Sequence, residues 1–288
     1  MKLVRYSDRS GIKLGVVKGD GVIDLSRRWP SLSDDMMIGL INMWPEVRAA
    51  VSELVADAPA DASLADVHLL APVSRPGKIM AIGLNYANHV QESGQKTPPH
   101  QIWFSKAVTA INGPFDPIQL PMASEATDYE AELVVIIGRR CKHVTKARAA
   151  EVVFGYCAGN DVSVRDWQLR TSQWALGKSF DTHAPIGPWI VTPDEVGDPH
   201  TLGIRCLVNG EQRQNSNTRN LIFNVFDQIE LLSRAMTLEP GDVIFTGTPG
   251  GVGMAMKPPR LLKAGDKVRV EIDRIGAIEA ITRPETLA

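Results

Sequence analysis

Short apolar stretches at 3–6, 13–17 and 22–25, parted by the polar, glycine-bearing segments 7–11 and 18–21, read as three strands joined by turns. The pattern then turns helical. Ser33 is placed to cap a helix over 34–43, Pro45 to open a second one reaching about Val55, and the Ala/Asp/Pro-rich run 56–66 reads as a connector. Beyond Pro76 strand follows strand, interrupted by one clear amphipathic helix from about Leu221 to Ala235 with Ile222, Phe226, Ile229, Leu232 and Ala235 near one face. The expected organisation is a small N-terminal α/β domain over 1–70 and a larger domain over 71–288, an α+β, mostly β chain without internal repeats.

The apolar run 133–138 is preceded by three alternating acids in Asp128-Tyr129-Glu130-Ala131-Glu132. Successive side chains of a strand point to opposite faces, so Asp128, Glu130 and Glu132 share one face and Tyr129, Ala131 and Leu133 the other. Carboxylates at that spacing, next to a segment that reads as a fully buried strand, repel one another unless a cation or a basic cluster balances them. A divalent metal is the leading candidate, and a solvated strand face is the ordinary alternative. Downstream, 154–162 reads as another short buried strand, and its Asp161 either adds a third oxygen ligand or caps the polar segment that follows. Carboxylate-only ligation suits magnesium, manganese or calcium. Zinc favours His and Cys, yet His89, His100, His143, His183 and His200 are scattered and no C-x-x-C occurs.

Upstream, 78–83 reads as a strand and 85–94 as a short helix capped by Asn85 and ended by Gly94. His89 and Glu92 stand at i and i+3 on that helix, an arrangement in which a carboxylate orients an imidazole and raises its basicity for activating water. A solvated helix face is the plainer alternative. The polar, proline-rich loop 95–100 is suited to closing over a site. Lys178, among small and apolar neighbours in Gly177-Lys178-Ser179-Phe180-Asp181, needs an anion to face, whether a pocket ligand, Asp181 or one of the acids above. The glycine-rich segment 246–253 lacks the G-K-[ST] ending of a phosphate-binding loop. It reads as a tight backbone nest near a small carboxylate, with Thr248 supplying a hydroxyl, or as a hairpin loop with glycine at positive φ.

With 288 residues, 44% of them hydrophobic, and a formal net charge of -2, the chain can build a large core and has no electrostatic bias towards nucleic acid or membrane. Its start carries charges without an apolar h-region, and no apolar run of about 18 residues occurs anywhere. Cys141, Cys157 and Cys206 lack the spacing of a disulfide framework, which points to a reducing cytoplasm.

Taken in order, five motifs resemble the fumarylacetoacetate hydrolase family over roughly Pro72 to Arg283, most closely its shorter bacterial-type members. They are G-x-N-Y-x-x-H-x-x-E (Gly83, Asn85, Tyr86, His89, Glu92), E-x-E (Glu130, Glu132), N-D-x-S-x-R-D-x-Q (Asn160 to Gln168), G-K-S-F-D (Gly177 to Asp181) and F-T-G-T-P-x-G-V-G (Phe245 to Gly253). The resemblance implies a mixed β-sandwich roll, a homodimer, and a magnesium or manganese ion held by Glu130, Glu132 and Asp161. It further implies a catalytic dyad of His89 and Glu92 on a lid helix, and a pocket for a small 2-oxo acid lined by Arg165, Gln168, Lys178 and Thr248, with Lys178 also balancing charge during catalysis. Asp128 is expected behind the ligand set or beside a base, and Asp166 beside Arg165. The implied reaction is hydrolysis of a carbon-carbon bond in 2,4-diketo acids, either acylpyruvates or 2,4-diketo-3-deoxy sugar acids, to pyruvate and a carboxylic acid. Oxaloacetate decarboxylation or isomerisation of a hydroxymuconate-type diacid would use the same grip. A non-catalytic metal-binding scaffold is the third reading, although it has no need of a water-activating dyad.

Overall fold

The computed structural model describes residues 1–29 and 36–286. A twelve-stranded sheet runs in the order Ala62–Ser63, Gly21–Asp24, Gly11–Lys18, Lys2–Asp8, Ala184–Val191, Val153–Asn160, Ala131–Ile137, Val243–Phe245, Ile79–Gly83 and Ile102–Lys106. Off that path, His68–Leu70 pairs with Lys2–Asp8 and Ile111–Asn112 with Ala184–Val191. A five-stranded sheet joins Glu211–Asn217, Gly203–Val208, Lys267–Ile272, Gly276–Pro284 and Ile118–Leu120.

Strand Ala131–Ile137 lies within the large sheet with every residue buried, as a strand covered on both faces must be. Its alternate residues serve two cores. Leu133, Val135 and Ile137 pack with Ile204, Cys206, Val268 and Val270 of the five-stranded sheet and with Ile229 and Leu232 of helix Val225–Ala235. Val134 and Ile136 face the other way, into a core with Met37, Leu40, Ile41, Val47 and Val51 of helix Met36–Asp57. The result is the expected α+β, mostly β architecture, with the large sheet sandwiched between a second sheet and a long helix. The strands read at 3–6, 13–17 and 22–25 are all present, and they extend the large sheet through the pairing of Lys2 and Leu3 with Val191 and Ile190.

The helices differ from the pattern reading in instructive ways. Where two were expected, Met36–Asp57 is one helix with Pro45 inside it; the expected cap, Ser33, lies outside the described residues. Pro45 has no N–H for the carbonyl of Ile41, at a cost of about 3 kcal/mol. Five side chains on both sides of it enter one core, and each contributes roughly 1.5–3 kcal/mol on burial, so packing outweighs the break. Nor is 56–66 wholly a connector, since the helix reaches Asp57 and Ala62 pairs with Val22. The later helix starts at Val225 because Asn224 accepts from the amides of Phe226 and Asp227 while Asp227 accepts from the Asn224 amide. Ile229 and Leu232 are buried as expected, whereas Phe226 is half-buried, Ala235 is exposed and Ile222 precedes the helix. No helix of the described residues is long and apolar enough to cross a membrane.

Candidate active site

Sheet register builds the acid cluster. Ala131 pairs with Asn160 and Glu132 with Gly159, so Asp161, one step beyond the second strand, comes to lie beside Glu130. Its amide donates to the Glu130 carbonyl at 2.9 Å. A β-carbon at Gly159 would stand 2.5 Å from Val134 Cγ2 and 2.8 Å from Phe245 Cε1, so the layers close this tightly only over glycine. One oxygen from each of Glu130, Glu132 and Asp161 lies within 4.8 Å of the others, and all three residues are buried. Asp128 stands outside this group, as expected: its Oδ2 accepts from Arg165 Nε at 2.9 Å, and it also accepts from the amides of Gly253 and Met254 at 2.8 and 3.0 Å.

Three cations close on these acids. Lys178 Nζ donates to Glu130 Oε2 and Asp161 Oδ2, both at 2.7 Å, so among the anions open to it the cluster acids are its partners and Asp181 is not. Arg165 Nη1 donates to Glu130 Oε1 at 2.6 Å and to Gln168 Oε1 at 2.9 Å. Lys106 Nζ donates to Asp161 Oδ1 at 2.6 Å. Sequence reasoning missed Lys106; its one signal is that it shares a strand face with the buried Phe104. The expected pairing of Asp166 with Arg165 is not found. Neighbouring residues of a helical turn point apart, and Asp166 accepts from Ser124 Oγ at 2.6 Å instead.

Burial pushes the Glu130 carboxyl up, but the Lys178 ammonium and the Arg165 guanidinium override it and hold Glu130 below the usual carboxylate range. Glu132 goes the other way. Burial, then the charges of Asp161 and Glu130, push it well above that range, against Lys178 and the Gly247 amide that donates to its Oε2 at 2.6 Å. Burial also lowers the Lys106 ammonium despite Asp161, whereas on Lys178 the pull of Asp161 and Glu130 exceeds the effect of burial and raises it. Glu132 is thus the acid that the local cations leave short of positive charge. Three hard carboxylate oxygens in that condition suit a divalent cation.

His89 Nδ1 lies 2.8 Å from Glu92 Oε1 on helix Ala87–Glu92, as the i, i+3 spacing predicts. The helix is capped at Tyr86 and not at Asn85. Asn85 is drawn across the fold: its amide donates to the carbonyls of Phe223 and Thr246 at 2.9 and 2.8 Å, and its Oδ1 accepts from the Phe223 amide at 2.8 Å. Gly94 does end the helix, at φ +67, with its own amide bonded to Gln91 O and that of Gln95 to Val90 O. The glycine-rich loop is a nest whose carboxylates are the protein's own. Gly247 donates to Glu132, Gly251 to Glu92 Oε2 at 2.7 Å and Gly253 to Asp128. Gly247 and Gly251 sit at φ +106 and +105, a region glycine adopts without penalty. The Thr248 hydroxyl donates to Ala131 O at 3.0 Å and accepts from Gln214 Nε2 at 2.8 Å.

A cavity of about 530 Å³ reaches the cluster at Glu130, and His89, Glu92, Arg165, Gln168, Lys178 and Thr248 line it as well. That size suits a small ligand. Glu132 and Asp161 are not part of its wall. A larger cavity, about 910 Å³, contains no residue of the acid cluster and none of the expected pocket residues, so volume alone does not mark the site.

Residues 78–282 match the family described as fumarylacetoacetate (FAA) hydrolase, C-terminal. The mitochondrial oxaloacetate tautomerase of Xenopus laevis is 44% identical over 284 residues, which cover 96% of this chain and 89% of that protein. Among solved structures, maleylpyruvate hydrolase from Sphingobium sp. SYK-6, in complex with manganese (II) ion and pyruvate, matches with a TM-score of 0.83 and 35% identity over 99% of this chain and 100% of that one. The 2-hydroxyhepta-2,4-diene-1,7-dioate isomerase from Mycobacterium marinum matches with a TM-score of 0.77 and 32% identity over 100% of both chains.

Proposed function

The chain belongs to the fumarylacetoacetate hydrolase family, and from that premise we propose that it is a divalent-metal hydrolase that cleaves a carbon-carbon bond of 2,4-diketo acids, releasing pyruvate and a carboxylic acid. The observation that carries this reading is one cavity lined both by Glu130, the outermost acid of the three-carboxylate cluster, and by the His89–Glu92 pair. Glu130, Glu132 and Asp161 would hold magnesium or manganese, which when bound supplies Lewis-acid polarisation of the substrate's oxygens. Arg165 and Lys178, beside those acids, are suited to a carboxylate and a keto oxygen, with the amide of Gln168 and the hydroxyl of Thr248 next to them. Glu92, itself fixed by the Gly251 amide, holds His89 through Nδ1 and leaves Nε2 as the base. Nε2 takes a proton from water as the oxygen adds to the C4 carbonyl, and Lys178 balances the negative charge that develops. The C3–C4 bond then breaks, its electron pair passing into the enolate of pyruvate, and C3 is protonated.

Isomerisation or decarboxylation of an enolisable 2-oxo acid is the second reading, supported by the likeness to an oxaloacetate tautomerase and a dienedioate isomerase. A panel of acylpyruvates, 2,4-diketo-3-deoxy sugar acids and oxaloacetate, incubated with protein and manganese, tests the choice. Pyruvate and a second carboxylic acid in equal amounts are expected. Carbon dioxide or a shifted double bond without any hydrolytic cleavage would replace the hydrolase reading with the second one. A homodimer is our proposal for the assembly, resting on membership of the family; a monomeric mass in light scattering would reject it.

A further inference from the structure

We infer that Tyr129 is a positioning residue for the His89–Glu92 pair, acting through Gly251. The inference rests on the reading of that pair as the proton-handling group and adds what holds it in place. A short run of hydrogen bonds leads from the acid-bearing segment to the imidazole. The Tyr129 hydroxyl donates to Gly251 O at 3.0 Å, the Gly251 amide donates to Glu92 Oε2 at 2.7 Å, and Glu92 Oε1 lies 2.8 Å from His89 Nδ1. Tyr129 stands between Asp128 and Glu130, whose side chains turn to the opposite face, towards Arg165 and the carboxylate cluster. Three consecutive residues thus serve three parts of one site.

The helix that carries the pair cannot fix it alone. Ala87–Glu92 is six residues long, well below the roughly 12–15 residues at which a helix in water becomes stable by itself. Glu92 therefore depends on the bond it is given from outside its own helix, which is that of the Gly251 amide. Gly251 needs fixing in its turn. It lies at φ +105, where only glycine is at ease, and glycine has the least restricted backbone of any residue. The flanks of its loop are tied down. The Thr248 hydroxyl donates to Ala131 O, Pro249 O accepts from Gln214 Nε2 at 2.8 Å, and the Gly253 amide donates to Asp128. Close packing limits Gly251 on one side, where a β-carbon would stand 2.0 Å from Arg213 O. Between Pro249 and Gly253 the side chains bonded to the loop, among the described residues, are Glu92 and Tyr129. Tyr129 is the one that joins this stretch to the body of the fold.

That anchor is rigid and keeps its proton. Tyr129 is fully buried, in the same core as Leu133, Val135 and Cys206. Burial, and then the charge of Asp128, push its phenol above the usual range, so the hydroxyl remains a donor. Phenylalanine would fill the same space. What tyrosine adds is one hydrogen bond, aimed at the glycine that holds Glu92.

Tyr129→Phe removes that bond and leaves the ring. On the acid of the panel that is turned over fastest, kcat should fall about 3- to 10-fold, the size set by one net hydrogen bond, while KM and manganese affinity stay within about 2-fold of wild type. In a Glu92→Ala background the same substitution should have no further effect on kcat, because a residue acting through Glu92 has nothing left to act on. A second readout is independent of turnover. In magnesium-loaded protein carrying isotope-labelled histidine, the Nδ1 proton of His89, assigned by its absence from His89→Ala, should give a resolved magnetic resonance signal in wild type. Tyr129→Phe should lose that signal to exchange with water, as Glu92→Ala does. Tyr156→Phe, which takes a phenol from the same buried core and not from the loop, should change neither kcat nor the signal. An unchanged signal with unchanged kcat in Tyr129→Phe would overturn the inference, and so would equal falls in kcat with and without Glu92, or an equal fall in Tyr156→Phe. Loss of the signal in Tyr129→Phe without hydrolysis of any diketo acid would sustain it while removing the hydrolase reading. Hydrolysis that Tyr129→Phe leaves at full rate, with the signal intact, would do the reverse.

Discussion

Replacing Lys178 by methionine should cost the metal-free protein far more than the metal-loaded one. Lys178 Nζ is bonded to Glu130 Oε2 and Asp161 Oδ2, each at 2.7 Å, and the residue is only 2% exposed. Methionine keeps most of the apolar stem and removes the charge, so the main loss is that of a cation between two buried carboxylates. Breaking a buried pair on one side costs on the order of 3–5 kcal/mol. With an unfolding entropy of about 2.1 cal/mol/K per residue over 288 residues, that corresponds to a fall in melting temperature of roughly 5–8 °C. A bound divalent ion changes the count of charges. Glu130, Glu132 and Asp161 carry at most three negative charges, and Lys106 with the ion supplies three positive ones, so neutrality no longer requires Lys178. The penalty should then shrink to half or less. By reciprocity the variant should also bind metal more tightly, tenfold for each 1.4 kcal/mol or so recovered. Scanning calorimetry of both proteins, with chelator and with saturating manganese, measures all four melting points. Equal falls with and without metal would refute the reasoning, since Lys178 would then be serving something other than the charge of these acids.

Three further outcomes follow from the same geometry. His89→Ala should leave manganese affinity close to that of the wild type while turnover falls about 100-fold or more; titration and pyruvate release measure the two, and near-normal rates would make this a surface helix. Gly251→Ala should lower the melting temperature and kcat together, because its β-carbon would stand 2.0 Å from the Arg213 carbonyl oxygen and the shifted amide would release Glu92, which orients His89; an unchanged melting point would show that the loop yields freely. Burial pushes the His183 imidazole down to about 3, against about 6.5 when unfolded, so its contribution to stability is complete above about pH 6.5 and is lost as pH falls towards 3. Urea titrations should therefore show wild type losing up to about 1.4 kcal/mol per pH unit more than His183→Gln across that window, and parallel curves would count against a neutral buried ring.

Several parts of the candidate site are legible in the chain because they depend on short-range periodicity. Alternation places Glu130 and Glu132 on one face of a strand and Tyr129 and Ala131 on the other, and the buried residues sort that way. Three-residue spacing brings Glu92 to His89, and a glycine at 94 ends their helix. Local pattern misleads where a distant partner competes. Asn85 is by type a good cap, yet three bonds to Phe223 and Thr246 take its side chain. Pro45 is by type a break, yet the helix continues through it because both halves bury into one core.

The sequence by itself determined which residues carry charge and which face of its own strand or helix each one occupies, since both follow from residue chemistry and the repeat of the backbone. Only the tertiary structure decided which charges meet. Lys106 reaches Asp161 across 55 residues, and the amide of Gly251 reaches Glu92 across 159. These meetings depend on strand order and register, which come from packing two cores against opposite faces of one sheet. That is a balance over the whole chain, and no window of residues contains it.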